Sequence, residues 1–378
     1  MTNQPIPSEA FEEAVVSELW LMEGRNLIDR PVDSSALLVK PLLSHRKRLS
    51  PEMKFRHSLV LDNNVLSDIQ ADPADSRNVD RENLEFLEKL VQDRGMELNS
   101  IYGLIEQWQT YVAAPDALKC YANYMRDHFG VNYAASELSA TQLMFAESTP
   151  KVATDLERFV GFVPAILYLY ELPEKKSAQS KLEDLFGLVK YAELPFFMIH
   201  FYYAALIFLM QERQELFLRG DLRKLKDDLK DLRKVMKTES DPRKRTHGIR
   251  NIAMDLALPA TSLFRVGLPP DTLMFPYLVT RDRILQLLLS EIECVEVHEH
   301  GNGQASGHWN LRTGGLLDRH LGEAIRRCLA DRAITKNHEE LSMKGSRLQA
   351  FSDLYTQKLL DLLDGKPIVE ASQGQTPQ

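Results

Sequence analysis

Three kinds of hydrophobic pattern succeed one another along the chain. Glu9 to Leu27 places apolar residues at helical spacing, and residues 1–57 read as a helical arm with polar breaks and a basic cluster, His45-Arg46-Lys47-Arg48. At Ser58-Leu59-Val60-Leu61 the pattern becomes a short unbroken apolar run that stops at Asp62-Asn63-Asn64, which predicts a buried parallel strand with an acid at its carboxyl end. Val65 to Ile69 can begin a helix. Leu84 to Arg94 is an amphipathic helix with Leu84, Leu87, Leu90 and Val91 on one face, stopped by Gly95. Met96 to Ile101 predicts a second short strand, and Tyr102 to Trp108 opens a helix carrying Glu106 in its first turns.

From about Pro115 to Arg245 strand signals give way to helical periodicity. Within this stretch Leu194 to Met210 is 17 uncharged, mostly apolar residues, close to the minimum for a membrane span. Its nearest apolar companion, Phe159 to Tyr170, is too short to span and contains Pro164. Both are read as buried core helices, because a helix that is apolar all round can sit inside a large protein. Leu222, Leu225, Leu229, Leu232 and Met236 mark one face of a further helix, which Asp241-Pro242 ends. Ile249 to Leu258 predicts a helix that carries Asp255. Tyr277-Leu278-Val279 predicts a strand running into Thr280-Arg281-Asp282, followed by a helix from Ile284 to Glu291 and a last strand near Cys294 to Val297. Gly301 to Gly307 reads as a loop, Leu316 to Ala333 and Leu348 to Leu363 as helices, and the stretch from Glu370 as a disordered tail.

Charge sharpens this picture. The chain carries a net −8, which argues against coating nucleic acid by bulk charge and leaves only regional contact. Such a region exists: Arg219 to Arg250 holds 12 Lys or Arg against 6 Asp or Glu, so the remainder of the chain carries −14. Within it Arg223, Lys224, Lys230, Arg233, Lys234, Arg243, Lys244 and Arg245 are candidate phosphate contacts, although such helices more often present a solvated face above a leucine core. Three cysteines, Cys120, Cys294 and Cys328, are too widely spaced for a disulfide framework or a C-x-x-C site, and the acidic start lacks a signal-peptide pattern; both favour a reducing, cytoplasmic location. His298, His300 and His308 match no zinc spacing.

The chemistry rests on acids that follow strands. Parallel α/β sheets place their ligand crevice at the carboxyl ends of the strands. Carboxylates that converge there repel one another unless a cation lies between them, and oxygen donors without a His or Cys cluster suit Mg²⁺ or Mn²⁺. Asp is also a favoured helix N-cap, so Asp62 and Asp282 each have a purely structural use as well.

Leu61-Asp62-Asn63-Asn64-Val65-Leu66-Ser67 resembles the opening motif of PIN-domain nucleases, and Leu278-Val279-Thr280-Arg281-Asp282 resembles their closing strand. The resemblance covers residues 58–118 and 246–300. It implies an α/β fold, a PIN-like three-layer core with a mainly parallel sheet, split by an all-helical insertion over 119–245 and flanked by helical extensions over 1–57 and 301–378. It also implies that Asp62, Glu106, Asp255 and Asp282 bind Mg²⁺ or Mn²⁺ and catalyse endonucleolytic hydrolysis, of RNA or possibly DNA, with Asn64 and Thr280 holding the carboxylates. Glu97 and Glu137 are alternatives to Glu106. About 150 residues separate Glu106 from Asp255, more than a compact PIN domain has, and Asn63 stands where the family often has a small or hydroxyl residue. Resemblance to PIN toxins also allows an inhibitory protein partner, and self-association is compatible with the sequence; a membrane partner is not expected. The rival expectation is a PIN-like chain without activity that uses its helices as a binding scaffold.

Overall fold

The computed structural model describes residues 38–41, 54–70, 81–94, 96–100, 103–104, 114–139, 141, 159–173, 176–217, 219–261, 272–299, 305–331 and 345–367. The chain divides into two compact units, one formed by Met1–Asp155 with Ala257–Arg312 and the other by Leu156–Leu256 with Thr313–Gln378. The described elements are mostly helical, and the first unit adds a small mainly parallel sheet, an α/β arrangement.

In the first unit β1 (Leu38–Pro41), β2 (Lys54–Leu61), β3 (Glu97–Asn99) and β4 (Thr272–Thr280) form one sheet in the order β1-β4-β2-β3. Strands β2, β3 and β4 run parallel, with Leu61 opposite Val279 and Val60 opposite Asn99. Strand β1 adds antiparallel to β4, with Leu38 opposite Thr280. The apolar run Leu59-Val60-Leu61 is buried because β2 is the inner strand between β3 and β4. Pro276, which has no N–H to donate, falls one residue before Tyr277, the partner of Pro41 in β1.

Helices α1 (Asn63–Gln70), α2 (Arg81–Arg94) and α3 (Ala114–Phe129) supply the core beneath this sheet. Val65, Leu66, Leu87, Leu90, Leu118, Tyr121 and Met125 pack in one cluster with Leu59, Leu61, Tyr277 and Val279.

In the second unit the all-round apolar segments become α4 (Val163–Glu171) and α6 (Met198–Glu212), with α5 (Ala178–Tyr191) between them. Every residue from Ile199 to Met210 is buried. Among the described residues no helix is long and apolar enough to cross a membrane. Pro164 lies in the first turn of α4, where its missing N–H would have had no partner in the helix. Helices α7 (Arg219–Thr238) and α8 (Pro242–Thr261) follow. Asp241 caps α8 by accepting from the Arg243 amide at 2.9 Å, so the Asp-Pro step ends one helix and starts the next. Back in the first unit, β4 is followed by α9 (Arg283–Glu291) and an antiparallel hairpin of β5 (Ile292–Glu299) and β6 (Ala305–Leu311). The chain closes with α10 (Leu316–Leu329) and α11 (Gly345–Leu363).

The structure redraws several expected boundaries. Residues 38–41 form a strand inside the expected helical arm, while Glu9 to Leu27 lies outside the described residues. The helical unit begins at 156 rather than 119, because Leu118, Tyr121 and Met125 of α3 belong to the core under the sheet. Residues 246–256, expected with the core, fall in the helical unit instead. Residues from 313 onward are part of that same unit and not a separate extension: α11 packs on α4, and α10 packs on α5 and α6. The expected loop of Gly301 to Gly307 gives way to strand from Ala305.

Candidate functional site

Strands β2 and β4 are parallel neighbours, so their carboxyl ends lie side by side, and each ends in an acidic motif. The Asp62 amide continues the pairing by donating to the Val279 carbonyl at 3.0 Å. Its own carbonyl then accepts from the Val65 and Leu66 amides, which starts α1. The chain therefore turns from strand to helix at the acid itself.

The Asp62 side chain is turned toward β4. Its Oδ2 accepts from Thr280 Oγ1 and from Asn64 Nδ2, both at 2.5 Å. Thr280, fully buried, also accepts at Oγ1 from the Asp282 amide at 2.9 Å. One hydroxyl thus fixes both acid-bearing segments. Asn64 closes the arrangement, since its Oδ1 accepts from the Arg281 amide at 3.1 Å. Asn64 and Thr280 thus both hydrogen-bond the Asp62 carboxylate.

Asp62 is 3% exposed. Burial pushes its carboxyl up to about 6, with the Asp282 charge adding to the rise, while hydrogen bonds from Thr280, the Asn63 backbone and Asn64 oppose it. Two acids are thus held close enough to repel, in a place where one is cut off from water.

Asp282 has a second occupation. It is the N-cap of α9, its Oδ1 accepting from the Leu285 amide at 2.7 Å. The cap engages one carboxylate oxygen of Asp282.

Asp255 lies partly buried on α8 and is counted in the second compact unit, whereas Asp62 and Asp282 are counted in the first. Glu106 lies outside the described residues. Of its alternatives, Glu97 is an exposed residue of β3, and Glu137 is exposed and accepts from the Ala134 amide at 2.7 Å. Among the described residues no three His, Cys, Asp or Glu side chains cluster as a metal site would require.

The structure adds two residues that sequence reasoning passed over. Arg281 Nη2 donates to the Asn64 carbonyl at 3.1 Å and pairs with Asp68 at 3.0 Å, tying the β4 end to the first helix behind the site. Arg281 was visible inside the Thr280-Arg281-Asp282 motif. Asp68, one turn after Asn64, carried no local signal for this pairing. The Arg281 guanidinium is thus turned to Asp68 and the Asn64 carbonyl.

Replacing Thr280 by Val keeps the shape and removes the hydroxyl. The variant is expected to lose about 1–3 kcal/mol at pH 7.5, because a buried carboxylate loses a donor and the Asp282 amide loses its acceptor. The loss should shrink at pH 4.5, where a protonated Asp62 needs that donor less. Urea denaturation at the two pH values checks this, and Thr280→Ser should restore stability.

Compared with known proteins, the chain matches no family model, no curated protein and no solved structure.

Proposed function

We propose that this chain is a metal-dependent endonuclease of the PIN-like kind, acting on RNA by in-line hydrolysis of phosphodiester bonds. One observation supports the reading: two acids follow adjacent parallel strands, a single buried hydroxyl donates to the Asp62 carboxylate and accepts from the Asp282 backbone amide, and Asp62 is pushed up to about 6 by burial and by Asp282. A bound cation would ease the repulsion between the two carboxylates.

The donor set suits a hard divalent cation. Asp62 and Asp282 are oxygen donors, no sulfur or imidazole is among them, and Mg²⁺ or Mn²⁺ prefers such ligands. Glu106 and Asp255 are the further ligands that the PIN resemblance implies. When bound, the cation supplies charge neutralisation and an activated water for attack on phosphorus. The protein's own groups position and hold: Thr280 and Asn64 fix the Asp62 carboxylate, the α9 amide of Leu285 fixes one oxygen of Asp282, and Arg281 ties the end of β4 to helix α1.

A second reading has its own observation. Asp282 already serves as an N-cap, as a PIN-like scaffold that binds without cleaving would retain it. The test is hydrolysis of a mixed panel of single-stranded RNA and DNA by the full chain in Mn²⁺ and in EDTA. RNA cleavage that requires Mn²⁺ is expected. Absence of cleavage, with a melting temperature unmoved by Mn²⁺, would sink the nuclease and favour the scaffold.

A further inference from the structure

Helix α7 is amphipathic in two senses. Leu225, Leu229 and Met236 are buried, which defines its core face. At about 100° per residue, Arg223, Lys226, Lys230, Arg233, Lys234 and Lys237 then fall in one lateral sector about 100° wide. Asp227, Asp228 and Asp231 fall in the next sector round, and Lys224 lies among them. The helix therefore separates its charges instead of alternating them. Opposite charges at spacings of three and four can pair along a helix; Arg223 and Asp227 do so here, at 3.8 Å with both side chains largely exposed.

The positive stripe is available. All six of its side chains are exposed. Arg233 reaches Glu171 at 3.2 Å and Lys226 donates to Gln214 at 2.7 Å. Among the described residues Lys230, Lys234 and Lys237 make no ion pair. From Arg223 to Lys237 the stripe runs about 21 Å at 1.5 Å per residue. In a stacked strand, where a charge falls about every 3.4 Å, that length holds about six phosphates. The chain outside residues 219–250 carries −14, so a polyanion is repelled by most of the surface and meets its complement here.

We propose that this stripe of α7 is a docking track for the phosphate backbone of single-stranded RNA, and that Lys224 is not part of it. The inference deepens the nuclease reading and rests on it for the choice of RNA over other polyanions. Binding at the track is electrostatic and without sequence preference, because lysine and arginine heads on one helix face meet phosphates and no base edges.

The experiment is fluorescence anisotropy of a labelled single-stranded RNA with the full chain in EDTA, so that no hydrolysis intervenes. Lys230→Gln and Lys234→Gln are each compared with Lys224→Gln, which removes the same charge from the other side of the same helix. Each stripe variant is expected to weaken binding about 3- to 10-fold near 0.1 M salt and to lower the salt slope by about one. Lys224→Gln should stay within about twofold. Equal losses in all three variants, or none, would overturn the track. Failure of the wild type to bind RNA, with polyglutamate bound instead through the same stripe, would replace the RNA by an acidic protein. The two proposals fail separately: binding in EDTA without cleavage in Mn²⁺ removes the nuclease and keeps the track, and cleavage indifferent to the stripe does the reverse.

Discussion

Asp62→Asn is expected to make the protein more stable at neutral pH while removing its response to divalent cations. In the fold the carboxyl titrates near 6 instead of near 3.8, so its charged form is the costly one. A group raised in this way contributes stability that is complete below about pH 4 and is lost as pH rises through about 6. Above that, the buried charge costs about 3 kcal/mol relative to an unperturbed carboxylate. Asparagine keeps an oxygen for Thr280 and Asn64 but brings a new amide toward the Asn63 N–H, which offsets part of the gain. A net increase of about 1–2 kcal/mol at pH 7.5 is therefore expected, shrinking toward zero near pH 4. Mn²⁺ should act on the wild type in the opposite sense to the buried charge. A cation binding only the folded state stabilises by about 2.7 kcal/mol at 100 times its dissociation constant, and the variant should show little of this. Urea titrations of both proteins between pH 4 and 8, with Mn²⁺ or EDTA, give the four curves needed. A variant less stable than wild type at pH 7.5 would mean that the Asp62 charge is already compensated within the protein.

Loss of hydrolysis and gain of stability in one substitution would mark a site organised for function at the expense of folding. Loss of both would mark Asp62 as a structural cap. The same contrast applies to Asp282 with the opposite weighting, because its carboxylate also holds the α9 amide of Leu285. Asp282→Asn keeps a capping oxygen and is the appropriate change there.

What the sequence revealed of this site, and what it hid, follows from the range of the interactions. Asp62 was legible because an unbroken apolar run cannot continue past a charge, and an inner parallel strand needs such a run. Thr280 and Asp282 were legible for the same reason on β4. The Arg281–Asp68 pair was not, since it joins positions 213 apart and each residue has an unremarkable neighbourhood. Strand β1 is only four residues long and owes its conformation to pairing with β4, so its own pattern was too short to overrule the helical reading around it. Strand β6, ASGHWNL, is poor in β-branched residues and is specified by its partner β5; Trp309 is buried opposite Cys294. The second unit gathers helices from both sides of the sheet-forming segments. Each apolar face announced that it would be buried, but the match of α11 to α4 depends on shapes that no local period encodes.

Phe201→Ala is expected to cost about 3–5 kcal/mol, the largest stability loss of any single change considered, and it tests the reading of α6 as core. Phe201 is fully buried, and its ring lies 5.0 Å from that of Phe196 and 6.4 Å from that of Phe186. Truncation removes the transfer energy of the ring, leaves a void lined by these aromatics and forfeits their edge and tilted contacts. Relaxation is restricted because the residues from Ile199 to Met210 are packed on every side, so no flexible surface can collapse into the space. Tyr191, 73% exposed on the neighbouring helix α5, is the control, and Tyr191→Ala should change stability by less than about 0.5 kcal/mol. Circular dichroism at 222 nm against urea reads both, since the second unit is helical throughout its described elements. Were α6 to lie in lipid instead, Phe201 would face an environment as apolar with alanine as with phenylalanine, and the two substitutions would be alike in aqueous denaturation. A large loss for Phe201 beside none for Tyr191 therefore ties the apolar segment to the protein interior through its energetics, independently of its length.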